Sequence, residues 1–173
     1  MNTIKYIAMD DTDIKYYLPK AKILTYNQLA KVKTIEKLLP HHKSYFILLY
    51  PVKSDTDGHW VCMCRHDKTL EYFDSYGLQP DKPLEWGNFK TNPKYLSNLL
   101  GRTKLKINYN TIDFQNKKDY TISTCGAFVV FRILTLTEMN LNLEKNNIML
   151  KTLKEANEEK SYDDIVVEFI NKR

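Results

Sequence analysis

The sequence predicts an α+β domain: a mixed or antiparallel central sheet packed against one central helix, with further helices around it. Three observations lead there. Residues 45–74 carry short apolar runs of strand type, separated by turn formers. Residues 125–139 are apolar almost all round, as suits a helix buried in the core. The C-terminal third reads as amphipathic helix, with Ser161-Tyr162-Asp163-Asp164 opening the last one.

The elements follow in chain order. Tyr26–Leu39 carries Leu29, Val32, Ile35 and Leu39 at helical spacing, with Thr25 as N-cap and Pro40 as stop, so a helix is expected. Residues 45–50 form a strand that Pro51 should end, and Ser54, Asp55, Asp57 and Gly58 mark a turn. Two strands follow, His59–Arg65 and Thr69–Asp74, joined around Asp67-Lys68. With His66 facing Thr69, Val61 falls opposite Asp74, and His59 lies one diagonal step away on the same face. Diagonal neighbours across an antiparallel pair are within reach of long side chains. A hairpin alone therefore brings His59 and Asp74 together. Residues 78–93 hold three prolines and read as loop. Tyr95–Leu100 suggests a short helix ending before Gly101, Lys104–Tyr109 a further strand, and Asn110–Thr124 an irregular polar stretch. Ser123 or Thr124 would cap the helix that starts at Cys125.

Composition excludes several classes. The 173 residues amount to one ordinary domain, and five glycines and six prolines are too few for a linker-rich or collagenous chain. The longest apolar stretch, Phe46–Val52, is far short of the roughly 20 residues a membrane span needs. The start, Met1–Lys5, lacks the apolar core of a secretory signal. Three cysteines are an odd set, which points to reduced thiols in an intracellular protein. The net charge of +5 is unevenly spread. Seven lysines between Lys15 and Lys43 face one acid, Glu36, and five bases between Arg102 and Lys118 face Asp113. Such segments fit solvated surfaces, and equally a basic face that binds DNA without sequence preference.

Four motifs carry chemistry: Gly58-His59-Trp60, Phe73-Asp74-Ser75-Tyr76-Gly77, Gln115 and Thr124-Cys125-Gly126. A thiol protease needs a sulfur nucleophile, a base that takes its proton, and a carboxylate that orients the base. Hydrogen-bond donors must also face the developing oxyanion. Cys125 opens a helix, where backbone N–H groups and the dipole favour an anion. His59 and Asp74 are paired by the hairpin. Gln115 can supply a side-chain amide to the oxyanion hole, and Cys125 its own backbone N–H. Gly126 leaves space beside the sulfur for a substrate backbone. Each residue also has a plainer role: Cys125 as a buried helix thiol, His59 as the end of a loop, Asp74 as a turn cap.

The chain order His, Asp, Gln, Cys resembles that of the adenovirus-type maturation proteases and their cellular relatives, the ubiquitin-like-protein (SUMO) proteases. The resemblance covers about residues 45–135. It rests on Gly-His-Trp-Val, on Tyr-Phe-Asp-Ser-Tyr-Gly and on Thr-Cys-Gly-Ala-Phe taken together. The phrase Phe-Asp-Ser-Tyr-Gly, the Tyr109-Asn110 pair before Gln115 and the small size look most like proteases of virophages and large DNA viruses. Cellular members usually have Asp where this chain has Thr124, and a Gln closer to the Cys than Gln115 is to Cys125; the longer loop Asn116–Thr121 favours the viral branch. The resemblance implies catalysis by His59, Asp74, Gln115 and Cys125, with Trp60 packed over the site and narrowing the substrate channel. It further implies cleavage of viral capsid or core precursors after small residues, of Gly-Gly or Gly-x type, in the virion or the host-cell virus factory.

Two other readings stay open: a protease that processes or deconjugates ubiquitin-like modifiers, and a non-catalytic binding domain with the same fold. A zinc site from Cys62, Cys64, His59 and His66 is disfavoured, because the two histidines differ in strand parity and no Cys-x-x-Cys knuckle is present. Core thiols are the better account of Cys62 and Cys64. His41-His42 carries no assignment. No cofactor, metal or membrane partner is expected, and the chain is expected to act as a monomer.

Overall fold

The computed structural model of the chain describes residues 5–54, 57–87, 91–119 and 121–173. At its centre is a five-stranded mixed sheet in the order β1 (Ile23–Thr25), β2 (Tyr45–Ser54), β3 (Asp57–His66), β4 (Thr69–Phe73), β5 (Lys106–Tyr109). β2, β3 and β4 form an antiparallel meander, while β1 and β5 flank it in parallel pairings. The helices are α1 (Asp11–Tyr17), α2 (Tyr95–Arg102), α3 (Cys125–Met139), α4 (Leu143–Glu155) and α5 (Tyr162–Asn171). The α+β class read from the sequence is what the chain adopts.

Both faces of the sheet are buried, which explains apolar runs without polar alternation. Ile47, Leu49, Cys62, Cys64 and Phe73 pack with α1, α3, α4 and α5 on one side. Phe46, Leu48, Val61, Met63 and Tyr72 pack on the other, under α2 and the segments 26–39 and 82–86. α3 is the central helix, with every residue from Gly126 to Leu136 buried. The one charged residue of that buried stretch, Arg132, is paired with Glu71 of β4 at 2.6 Å. The second Glu71 oxygen accepts the Leu143 N–H, which ties the start of α4 to the sheet.

The helix expected over Tyr26–Leu39 is replaced by two short 3₁₀ turns, Tyr26–Lys31 and Ile35–Lys37, with extended residues at Val32 and Thr34 between them. The reason lies in the spacing. Tyr26, Leu29, Val32, Ile35 and Leu38 recur every three residues, the period of a 3₁₀ helix rather than of an α-helix. Pro51 does not end β2, which runs on to Ser54. β1 pairs only with Ile47–Leu49, so Pro51 sits where one side of β2 is a sheet edge, a position proline tolerates. Opposite it, a Cβ on Gly58 would stand 1.8 Å from the Tyr50 carbonyl oxygen, so only glycine permits this approach. The turn expected at Asp55 lies outside the described residues. α2 continues through Gly101 to Arg102, and the loop 78–93 contains a 3₁₀ turn at Lys82–Trp86. β5 begins at Lys106, two residues later than expected. No helix of the described residues is long and apolar enough to cross a membrane.

Candidate active site

The β3–β4 hairpin has the register that its turn predicts. His66 pairs with Thr69 and Cys62 with Phe73, so Asp74 follows directly on the last paired residue of β4. His59 Nε2 and Asp74 Oδ1 are 3.0 Å apart, and both side chains are buried. The same Asp74 oxygen accepts the Tyr76 N–H at 2.8 Å, while the Asp74 carbonyl accepts from Gly77 N–H and from the Asn110 side chain. Asp74 thus serves as turn residue and histidine partner at once. Gly77 is needed in this turn: its φ is +70°, and a Cβ there would lie 2.7 Å from the Thr111 carbonyl.

Burial is the largest influence on His59 and disfavours its charged form. The Asp74 charge, the hydrogen bond to it, and the Cys125 thiol act the other way and prevail, holding the His59 pKa up at about 10. Because Asp74 takes Nε2, Nδ1 is the nitrogen left for the sulfur. Tyr76 stacks on the imidazole at 5.1 Å between centroids and Trp86 meets it edge-on at 5.3 Å. These rings confine His59 to one orientation.

Cys125 is the first residue of α3 and is partly exposed, whereas Cys62 and Cys64 are fully buried. Gln115 lies ten residues earlier in the chain, yet the fold draws both to one place. The Phe114 and Gln115 N–H groups donate to the Ser75 carbonyl, and the Ser75 hydroxyl donates to Gln115 Oε1 at 2.7 Å. That bond fixes the buried Gln115 side chain by its oxygen, and the donors of the amide are on its nitrogen. On the other flank, Asp163 of α5 accepts from the Thr124 hydroxyl and from the Asn116 N–H. One buried carboxylate therefore holds the residue before Cys125 and the residue after Gln115. Thr124 sits at the N-cap position but makes no side-chain cap, its hydroxyl being committed to Asp163. Burial pushes the Asp163 carboxyl above the usual carboxylate range, against the bonds from Thr124 and Asn116.

Trp60 and Gly126 take roles other than those expected. Trp60 is buried beneath the N-terminal segment, with its indole N–H donating to the Met9 carbonyl at 2.8 Å. The tryptophan at the His59 ring is Trp86, from the proline-rich loop. A Cβ on Gly126 would come 2.9 Å from Met9 Cβ, so the space beside Gly126 is filled by Met9 rather than left open. The Ser123 N–H donates to the Lys5 carbonyl, and residues 5–9 thus run beside the start of α3. Lys117 also departs from expectation. Its ammonium lies 5.6 Å from the Tyr76 ring centre, and it lines a cavity of about 350 Å³ with Tyr76, Trp86, Asp119 and Ile122. It belongs to the rim of this site, not to a basic surface away from it.

A partly exposed thiol beside a buried, positively biased imidazole is an arrangement for nucleophilic sulfur chemistry. The sequence signalled Asp74, His59, Gln115 and Cys125; Ser75, Tyr76, Trp86 and Asp163 emerge only in the fold. Ser75 and Tyr76 were inside the Phe-Asp-Ser-Tyr-Gly phrase, whereas nothing local marked Trp86 or Asp163.

The chain is 36% identical over 145 residues to a protein of Sputnik virophage named "Uncharacterized protein V9", a match spanning 78% of this chain and 81% of that protein. No protein-family model matches the chain.

Proposed function

The chain belongs to the family of the Sputnik virophage protein V9, and we propose that it is a cysteine endopeptidase that cleaves viral capsid or core precursor proteins after small residues during virion maturation. The observation that carries this reading is the buried His59–Asp74 pair, with an imidazole held protonated near neutrality beside the Cys125 sulfur. The virophage relative supports a viral setting, and the resemblance of the His, Asp, Gln, Cys order supports the reaction and the Gly-Gly or Gly-x preference.

In this reading the Cys125 thiolate attacks the scissile carbonyl carbon, and an S–C bond forms as the carbonyl electrons move onto oxygen. The oxyanion is met by the Cys125 backbone N–H and a side-chain N–H of Gln115. Collapse of the intermediate breaks the C–N bond, and His59 gives its Nδ1 proton to the leaving amine. His59, now neutral, takes a proton from water as that water attacks the thioester. Collapse of this second intermediate breaks the S–C bond, the acid product leaves, and the thiolate–imidazolium pair is restored. Asp74 holds the ring by Nε2 throughout and balances its charge. Trp86 and Tyr76 wall the site, and the nearby cavity accepts a substrate side chain.

The substrates are viral structural precursors, and the enzyme works in the virion or the virus factory. The exposed lysines from Lys15 to Lys37, with Arg102, Lys104 and Lys106, supply non-specific attraction to packaged DNA. The test is cleavage of a peptide library with small residues before the scissile bond, by the wild-type chain and by Cys125→Ala. Turnover confined to the wild type supports the reading. Equal cleavage by both, or none by either on peptides or on the virus's own precursors, overturns it.

A further inference from the structure

We infer that His42, His66 and Asp67 form a zinc-type divalent metal site at the far end of α3 from Cys125. The site is independent of the protease reading. It gathers three segments: His42 before β2, His66 and Asp67 at the β3–β4 turn, and Asn140, which ends α3 in the left-handed region at φ 54°. At 1.5 Å per residue, α3 separates Cys125 from this cluster by about 22 Å.

The donor atoms are already spaced for a metal. One ligand atom from each of the three side chains lies within 4.8 Å of the others. His42 Nδ1 is 3.5 Å from one Asp67 carboxylate oxygen and His66 Nδ1 is 3.7 Å from the other. A tetrahedral zinc with bonds of about 2.0–2.2 Å places its ligand atoms roughly 3.3–3.6 Å apart. The two imidazoles meet edge to face at 4.9 Å between centroids.

Asn140 selects the tautomer that a metal requires. His42 Nε2 lies 2.8 Å from the Asn140 side-chain oxygen, and His66 Nε2 lies 3.3 Å from its carbonyl oxygen. Both oxygens only accept, so both Nε2 atoms carry a proton, and in the neutral rings both Nδ1 atoms present lone pairs. The Asp67 backbone N–H donates to His42 Nδ1 at 2.9 Å, which agrees with that assignment. A metal would displace this N–H, which lies in an exposed turn open to water. In the neutral ring of His66 the Nδ1 lone pair faces a carboxylate oxygen at 3.7 Å, acceptor against acceptor, an arrangement that a cation between them resolves. Imidazoles oriented by an oxygen on their second nitrogen are the usual support of a histidine metal site. Two imidazoles, one carboxylate and an open fourth position suit zinc and exclude the softer thiolate-only metals. Bound there, the ion would clamp the hairpin tip to the end of the central helix.

The test uses the full chain in a Cys125→Ser background, which removes the thiol that is not buried. Zinc is titrated calorimetrically, and cobalt is added in parallel for its absorption spectrum. One zinc per chain is expected, with a cobalt spectrum free of thiolate charge-transfer bands. His42→Ala and His66→Ala should each weaken binding tenfold or more, and His66→Gln, closer to the native volume, should do the same. Asn140→Gly keeps the left-handed backbone but loses the side-chain acceptor, and should weaken binding about tenfold. His41→Ala, in the same loop, should bind as the parent does. No zinc binding by the parent, or undiminished binding by folded His42→Ala and His66→Ala, overturns the inference. The second outcome would leave the cluster as a proton-bridged histidine–aspartate latch.

Discussion

His59 Nε2 and Asp74 Oδ1 meet at 3.0 Å, and the same Asp74 oxygen also accepts the Tyr76 N–H. The carboxylate that orients the imidazole is thus fixed by the turn that follows it. Removing its charge should cost turnover without disturbing that turn. Asp74→Asn is expected to lower kcat about 10²–10⁴-fold with a much smaller change in KM. Steady-state kinetics on a Gly-x peptide checks this, and unchanged kcat would reduce Asp74 to a turn residue.

The pH dependence follows from the same pair. His59 is held protonated up to about 10, above its ordinary 6.5. A raised pKa means that charged His59 contributes stability fully below about 6.5 and loses that contribution as pH rises through about 10. Activity should likewise fall on the alkaline side with an apparent pKa near 10. In Asp74→Asn that limb should move to lower pH. Denaturation midpoints of wild type and His59→Gln should converge as the pH is raised from 6 toward 10, and pH–rate profiles of wild type and Asp74→Asn test the activity.

Asp163 accepts from the Thr124 hydroxyl and from the Asn116 N–H, and so holds the two together. Asp163→Ala should therefore act through position. We expect kcat to fall ten- to a hundredfold with the alkaline limb of the pH profile in place, because the His59–Asp74 pair is untouched. Stability should drop by about 1–3 kcal/mol for the donors left unpaired. A shifted pH limb would mean that Asp163 acts on the charge of the site instead.

Glu71 and Arg132 form a buried ion pair between β4 and α3. Breaking it from one side leaves a charge without a partner, so Glu71→Gln or Arg132→Met should destabilise by about 3–5 kcal/mol. Replacing both by apolar residues of similar size should cost less than either single change. Urea denaturation of the three variants decides it.

How much of this was legible in the sequence depends on how far apart the partners lie. The His59–Asp74 contact needed only a two-residue turn and a register, and His66 does face Thr69. α3 coincides with the predicted 125–139 because an all-round apolar run has one physical home, the core. Tyr26–Leu39 departs from the expected helix because apolar spacings of three and of three-to-four overlap in short segments. Trp86 rather than Trp60 stands at the His59 ring for a different reason. A tryptophan next to His59 in sequence points away from it along a strand, and the loop carrying Trp86 has no periodicity to betray its destination. Asp163 reaches Thr124 from 39 residues away, a contact that only the packing of α5 against α3 creates.

The basic segments make a prediction of their own. Changing Lys20, Lys22, Lys31 and Lys104 to Glu should abolish weak duplex binding at low ionic strength, and wild-type binding should weaken steeply with salt. Peptide cleavage without DNA should be unaffected. Fluorescence anisotropy with a labelled duplex reads this, and no binding by the wild type at low salt would remove DNA from the account. Lys117 is excluded from the set because it lies over the Tyr76 ring.

The central claim is that Cys125 is a nucleophile activated by His59. The direct measurement is peptide-mapped mass spectrometry after exposure to a short Gly-Gly peptide ending in a vinyl sulfone, which traps a reactive thiolate as a thioether. One adduct per chain is expected, located on Cys125 and formed at least a hundredfold more slowly in His59→Ala. An adduct on buried Cys62 or Cys64, or labelling of Cys125 at the same rate without His59, would contradict it.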